Sequence, residues 1–150
     1  MAGTTVAEQP GVYGTEGTPA AGNTPGAREG AASWTDRNGN LWLFGGDGYD
    51  AAGTWSELND LWEFTPTAKT WTWMGGADTV DANNKPNASD QGQSGIYGTE
   101  GVPAATNVPG GRYSAVSWMD GSGNFWLFGG NGHDSTGTLG DLDDLWRFQP

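Results

Sequence analysis

Short apolar runs alternate with segments rich in Gly, Asn and Asp along this chain, and their spacing predicts β-strands joined by tight turns. The first run, residues 31–34, ends at a polar segment, 36–40, whose Asn38-Gly39 pair is typical of a hairpin turn. Residues 41–44 form a continuous apolar run, as expected for a strand covered on both faces. No segment shows a sustained period of 3.6 residues, so the pattern predicts an all-β protein.

The pattern after residue 44 predicts two further strands. Gly45 and Gly46 are expected to end the preceding strand, and a polar loop is predicted over residues 47–59. Residues 61–64 and 70–74 then predict strands, the second with period-two alternation that places both of its tryptophans on one face. These segments together predict four antiparallel strands in sequence, a meander.

The chain repeats itself. Residues 13–66 and 97–150 align without a gap at an offset of 84, and 33 of the 54 positions are identical. Tyr-Gly-Thr-Glu-Gly begins both copies, Trp-Leu-Phe-Gly-Gly lies in the middle of both, and Asp-Leu-Trp lies near the end of both. We call these segments repeat 1 and repeat 2. The identical positions are mostly Gly, Trp, Leu, Asp and Pro, which indicates a shared architecture.

A recurring four-stranded meander, with Gly-Gly after its second strand and Trp in its last, is typical of a β-propeller blade. The motifs resemble kelch repeats, particularly the Gly- and Trp-rich kelch arrays of bacterial, often secreted, proteins. The implied fold is similar to that of the central domain of galactose oxidase. The motif residues that carry the resemblance are Gly45, Gly46, Asp60, Trp62, Trp71, Trp73, Gly129, Gly130, Asp144 and Trp146.

The resemblance implies a division of the chain into four parts. An irregular N-terminal segment covers 1–24, a kelch-like blade covers 25–76, a long polar inter-blade loop covers 77–108, and a second blade covers 109–150. The second blade has no counterpart of the strand at 70–74. We therefore expect seven strands, about two blades, and an incomplete propeller.

A propeller ring has typically about four to eight blades, so three arrangements stay open. The chain could be a piece of a longer array, with further blades supplied by the same protein. Copies could self-associate, for example as three two-blade chains in a six-blade ring. A free two-blade monomer would expose an apolar blade face and an unpaired strand edge. Size-exclusion chromatography with light scattering distinguishes these arrangements.

Composition narrows the possible partners. Eighteen acidic against six basic side chains give a net charge of −12, which disfavours nucleic acids and anionic membrane surfaces. No apolar run approaches the roughly 18 residues of a membrane span, and residues 1–10 show no signal-peptide pattern. The absence of Cys excludes disulfides and thiolate nucleophiles. Localisation stays open, although the resemblance favours an extracellular or cell-envelope protein.

Two acidic segments that follow the Gly-Gly pairs are candidate binding loops. Asp47, Tyr49 and Asp50 belong to the first, and His133 and Asp134 belong to the second. Alternating Asp and Gly can present oxygen ligands to Ca²⁺, but the EF-hand spacing is absent. Asx turns, in which the carboxylates accept hydrogen bonds from nearby amides, are therefore the favoured interpretation. We predict no metal and no cofactor.

Arg28 and Arg112 are candidate anion-binding residues. Both are expected at the first strand of their blades, which the resemblance places along the central channel. Two guanidinium groups there could hold a carboxylate or a sulfate. The alternative is a structural salt bridge with nearby acidic residues. Asp60 and Asp144 are expected to accept hydrogen bonds from backbone amides at the start of a strand.

His133 is the only histidine, and its counterpart in repeat 1 is Tyr49, which predicts an exposed loop tip. One His without a nucleophile elbow supports no catalytic triad, and it is a poor zinc site. The copper site of galactose oxidase needs two His and a Cys-linked Tyr, so the resemblance does not extend to that activity. We therefore predict no enzymatic activity.

Trp55 is the candidate for sugar stacking, because it lies in the predicted polar loop and its counterpart is Leu139. The tryptophans of the strands are expected in the core between blades. The predicted function is a non-catalytic kelch-type propeller segment that binds a protein or glycan ligand as a scaffold. The alternative is part of a propeller enzyme, carbohydrate-active or oxidase-like, whose catalytic residues lie in other blades.

Overall fold

The computed structural model describes residues 3–80 and 92–150, which form two antiparallel β-sheets and no helix. Sheet 1 contains β1 (Arg28–Glu29), β2 (Ala32–Thr35), β3 (Leu41–Tyr49), β4 (Trp55–Thr65) and β5 (Thr70–Gly75). Sheet 2 contains β6 (Arg112–Tyr113), β7 (Val116–Met119), β8 (Phe125–His133) and β9 (Leu139–Phe148). The all-β prediction is confirmed, and the two sheets form an open arrangement that does not close on itself.

The prediction of seven strands is wrong, because each repeat has an additional two-residue strand, β1 or β6, before its first predicted strand. Strands β1 and β2 pair with the two ends of β3. Gly30 separates them with a φ of 64°, and its counterpart Ser114 separates β6 from β7 with a φ of 56°. A left-handed residue cannot continue an extended ladder, and glycine is the residue that adopts this conformation at the least cost.

The Gly-Gly pair does not end β3, which is a second correction. The pairing of β3 with β4 shifts register between Phe44 and Gly46, and it then continues to the pair Tyr49 and Trp55. Gly45, with a φ of 64°, lies opposite two residues of β4, Asn59 and Asp60, in this β-bulge. The prediction of a polar loop over 47–59 is therefore wrong, except for the turn between Tyr49 and Trp55. Sheet 2 has the same irregularity.

The two sheets pack face to face through aromatic side chains. The Trp34 ring lies parallel to that of Phe125 at 5.2 Å between centroids, and Trp42 contacts both Phe125 and Phe148 at 5.5 Å. The buried cluster between the two sheets consists of Ala32, Trp34, Trp42, Phe44, Phe125 and Leu127. Trp118, the counterpart of Trp34, is 43% exposed, so its expected place in the core is wrong. The structure places no second sheet against that side of repeat 2 among the described residues.

The N-terminal part of each repeat packs on the outer strands of its own sheet. Tyr13 lies against Trp62 and Trp73, at 4.8 and 5.4 Å between ring centroids. In repeat 2, Tyr97 lies 5.0 Å from Trp146 in the same way. The shared Tyr-Gly-Thr-Glu-Gly segment therefore has the same structural position in both repeats.

Candidate functional site

Asp60 is the centre of a buried hydrogen-bond cluster in repeat 1. Arg28 donates to it through Nη1 and Nη2 at 2.6 and 2.8 Å. The Tyr13 hydroxyl and Trp62 Nε1 donate to its Oδ2 at 2.6 and 2.7 Å. The Asp60 side chain is fully buried. Four donated hydrogen bonds and one opposite charge stabilise the carboxylate in this position.

Arg28 makes two further internal hydrogen bonds. Its Nε donates to the Gly26 carbonyl at 3.1 Å, and Nη1 donates to the Gly45 carbonyl at 2.9 Å. Burial alone lowers the pKa of Arg28, but the charge and hydrogen bonds of Asp60 raise it above its usual value. The guanidinium thus binds internal partners, and the salt bridge expected as the alternative to an anion site is confirmed.

Repeat 2 contains the same cluster around Asp144. Arg112 donates to it at 2.5 and 2.8 Å, Tyr97 at 2.6 Å and Trp146 at 2.7 Å. Burial works against ionisation, but these partners hold the pKa of Asp144 below its usual value. Burial, reinforced by Asp144, raises the pKa of Tyr97 to about 12. The Asp144 side chain is 15% exposed, so this cluster is less enclosed than that of Asp60.

The predicted role of Asp60 and Asp144 at strand starts is wrong. Both residues lie inside long strands, β4 and β9, whose backbone groups pair with neighbouring strands. Their carboxylates therefore accept hydrogen bonds from the side chains of Arg, Tyr and Trp. The strands are longer than expected because the β-bulge allows pairing to continue past the Gly-Gly pair.

Asp50 and Asp134 form the turns predicted for them. Asp50 Oδ1 accepts from the amides of Ala52 and Thr54 at 2.9 and 2.7 Å, and its Oδ2 accepts from the Val80 amide at 2.9 Å. Asp134 accepts from the amides two and four residues later. These are Asx turns at the tips of hairpins. In the described part of the chain, no group of three or more acidic or His side chains could hold a metal ion.

His133 is fully buried, so its prediction as an exposed loop tip is wrong. Its Nε2 lies 3.2 Å from Glu57 Oε2 in repeat 1, and its Nδ1 lies 3.3 Å from the Gly137 carbonyl. Both ring nitrogens thus face acceptors, and only the imidazolium can donate to both. Burial opposes ionisation of Glu57, but the hydrogen bond and charge of His133 lower its pKa. This pair links the two repeats.

Three acidic side chains lie side by side across sheet 1. Asp47 pairs in register with Glu29 on one side and with Glu57 on the other. Burial and the charges of Glu57 and Glu29 raise the pKa of Asp47 above its usual value. The sheet face that carries these residues is therefore strongly electronegative.

Tyr49 and Trp55 form an aromatic pair at the tip of the β3–β4 hairpin. They are register partners, with ring centroids 4.9 Å apart and ring planes at 76°. Trp55 is 44% exposed. Because alternate residues share a strand face, this pair lies on the same face as Asp47 and Glu57. Repeat 2 has His133 and Leu139 at these positions, so the repeats differ in chemistry at this tip.

Sequence reasoning missed two groups of residues in these contacts. Tyr13 and Tyr97 complete the carboxylate clusters, and the identity of their motif in both repeats was the available signal. Glu57 had no such signal, because its partner His133 lies in the other repeat and neither residue is repeated.

No protein-family model matches the chain, and no curated protein matches it either. Within residues 3–80 and 92–150, no helix is long and apolar enough to cross a membrane. The interpretation of function therefore depends on the geometry of the repeats themselves.

Proposed function

We propose that this chain is a segment of a kelch-type β-propeller that acts as a non-catalytic scaffold for a protein or glycan ligand. Sheet 1 and sheet 2 are successive blades in this proposal. Support comes from the gap-free repeat, the shared antiparallel strand order and the face-to-face packing of the sheets. A closed ring needs further blades, supplied in this proposal by the same protein or by associated copies of the chain.

The non-catalytic part of the proposal is supported by the repeated polar residues. Arg28 and Asp60, like their counterparts Arg112 and Asp144, bind one another inside the fold. Catalytic groups must instead direct a donor, an acceptor or a nucleophile at a substrate. The residues that the two repeats share therefore stabilise the architecture.

The observation that carries the binding proposal is the exposed aromatic pair at the hairpin tip. Trp55 is 44% exposed and lies against Tyr49, and Leu139 replaces it in repeat 2. An exposed aromatic face stacks well on the apolar face of a sugar ring or on a protein side chain. The carboxylate of Asp47, on the same strand face, can accept hydrogen bonds from ligand hydroxyl groups.

A glycan array and a protein pull-down, each made with the wild-type chain and Trp55→Ala, test this proposal. We expect a ligand in one of the two assays, with affinity reduced about tenfold or more in Trp55→Ala. Leu139→Ala is the matched control, and its binding should equal that of the wild type. Equal binding by Trp55→Ala and wild type, or no ligand in either assay, would contradict the proposal.

A further inference from the structure

One face of repeat 1 is covered by repeat 2. Ala32, Trp34 and Phe44 are 5, 9 and 5% exposed, and they belong to one buried cluster with Phe125 and Leu127 of repeat 2. This interface is apolar and contains the parallel stack of Trp34 and Phe125. Its burial is a major source of stability for the pair of sheets.

The equivalent face of repeat 2 is open. Val116, Trp118 and Phe128 are the counterparts of the three covered residues, and they are 61, 43 and 43% exposed. We call these three residues the docking face. An exposed contiguous apolar patch of this kind marks an interaction surface.

Backbone contacts show the same difference between the repeats. Trp34 Nε1 donates to the carbonyls of Trp118 and Trp126 at 3.2 and 3.1 Å, whereas Trp118 Nε1 has no acceptor among the described residues. A Cβ on Gly45 would meet the carbonyls of Leu58 in its own repeat and Arg112 in the other. A Cβ on Gly129 would meet only the carbonyl of Leu142, in its own repeat. Repeat 2 thus lacks the partner that repeat 1 has.

Repeat 1 carries a surface similar to the surface of repeat 2 that covers Trp34. Leu41 and Leu43 occupy the positions of Phe125 and Leu127, and Leu41 is 44% exposed. We propose that the docking face binds repeat 1 of a second copy of this chain, head to tail, through the contacts that join the repeats internally. Trp118 would then donate to backbone carbonyls of the second copy, as Trp34 does within one chain. The proposal does not rest on the ligand proposed for Trp55, although the hairpin tip with Tyr49 and Trp55 of the second copy would lie at this junction.

One residue limits the fit between copies. A Cβ on Gly111 would lie 2.2 Å from the carbonyl oxygen of Glu57, so the internal junction requires glycine there. The counterpart of Gly111 in repeat 1 is Ala27, and the counterpart of Glu57 is Asp141. The intermolecular junction must therefore open near Ala27, which makes it weaker than the internal one. It also has Tyr49 in place of His133 and so lacks the internal contact between His133 and Glu57.

The contact is heterologous, because different surfaces of the two copies meet. Each added copy presents a new docking face, so association continues past a dimer unless the ring closes. We therefore expect species larger than dimers at high concentration. A two-fold symmetric dimer does not follow from this geometry.

Sedimentation velocity over a concentration series up to millimolar chain tests the proposal. The variants are Trp118→Ser, Ala27→Gly and the control Met119→Ser, which is similarly exposed but points to the opposite side of β7. Circular dichroism establishes that each variant is folded.

We expect the wild type to associate, Trp118→Ser to weaken association about tenfold or more, and Met119→Ser to leave it unchanged. Removal of the Ala27 methyl group in Ala27→Gly should strengthen association. A wild type that stays monomeric would overturn the proposal, as would equal weakening by the two serine variants. Ligand binding at Trp55 is a separate measurement, so its failure and the failure of this proposal are distinguishable.

Discussion

Identical residues in the two repeats have different surroundings, and Asp60 and Asp144 show this most clearly. Both accept hydrogen bonds from Arg, Tyr and Trp side chains at nearly equal distances. The Asp60 side chain is fully buried, whereas that of Asp144 is 15% exposed. The same set of Asp, Arg, Tyr and Trp side chains therefore has a carboxylate shielded from solvent in repeat 1 and one partly exposed to it in repeat 2.

Asparagine substitutions measure what each ion pair contributes to stability. Asp60→Asn leaves the buried Arg28 guanidinium without its counter-charge, which should lower the free energy of unfolding by about 3 kcal/mol or more. Asp144→Asn should have a similar effect, because the Arg112 side chain that it leaves without a counter-charge is only 1% exposed. Urea denaturation of both variants gives the two values. A loss below about 1 kcal/mol in either variant would contradict the buried ion pairs.

Tyr13 and Tyr97, in the clusters of Asp60 and Asp144, predict that the folded protein loses stability at alkaline pH. The pKa of Tyr97 is raised to about 12, and that of Tyr13 is also raised, mainly by burial. A group whose pKa is raised on folding contributes stability below its unfolded pKa, about 10 for tyrosine, and that stability is lost as the pH rises.

Unfolding should therefore accompany phenolate formation between about pH 10 and 12. Circular dichroism and phenolate absorbance, followed together, measure the two processes. Tyr97→Phe should remove the contribution of Tyr97 and leave that of Tyr13. Tyr49 and Tyr113 are replaced by Phe in every chain compared, so that the absorbance reports only the two cluster tyrosines. Phenolate formation at pH 10 in such a chain that stays folded would contradict the buried clusters.

At the level of elements, strand identity could be predicted from the sequence better than strand length. The apolar run at 41–44 and the alternation at 70–74 predicted strands that the structure contains. The extension of β3 to Tyr49 could not be predicted from local preference. Polar and glycine residues favour loops by themselves, and pairing with β1 on one side and β4 on the other keeps them extended.

The candidate site was predictable where both repeats carry the same residues. Arg28 and Asp60 were identified, although the direct contact between them depends on the strand pairing rather than on a local motif. Burial of His133 could not be predicted, because it depends on Glu57 in the other repeat. The sequence pattern of one repeat does not show which residues contact the other repeat.

Alanine substitutions of the two glycines at the β-bulges, Gly45 and Gly129, test the strand geometry and the packing of the sheets. Gly45 and Gly129 both have a φ of 64°, so each alanine should lose roughly 1–2 kcal/mol of stability from backbone strain. Gly45→Ala should lose more, because its Cβ would also lie 2.7 Å from the Arg112 carbonyl in the other repeat. Thermal or urea unfolding of the two variants gives the comparison. A larger loss for Gly129→Ala would contradict the packing of the sheets.

The whole molecule consists of two similar sheets with one covered and one open apolar face. Repeat 2 covers the face of Trp34, while the equivalent face around Trp118 is exposed. The docking proposal and the proposed propeller architecture both depend on this difference. The ligand surface at Trp55 lies at a hairpin tip where the repeats differ.

Leucine substitutions of Trp34 and Trp118 test most directly the claim that the two repeats pack face to face. The measurement is the free energy of unfolding of Trp34→Leu and Trp118→Leu, by urea denaturation at a concentration where the chain is monomeric. We predict a loss of about 3 kcal/mol for Trp34→Leu, because it removes a buried indole and its stack on Phe125. The loss for Trp118→Leu should be below about 1 kcal/mol, because that side chain is half-exposed. Equal losses at the two positions would contradict the account.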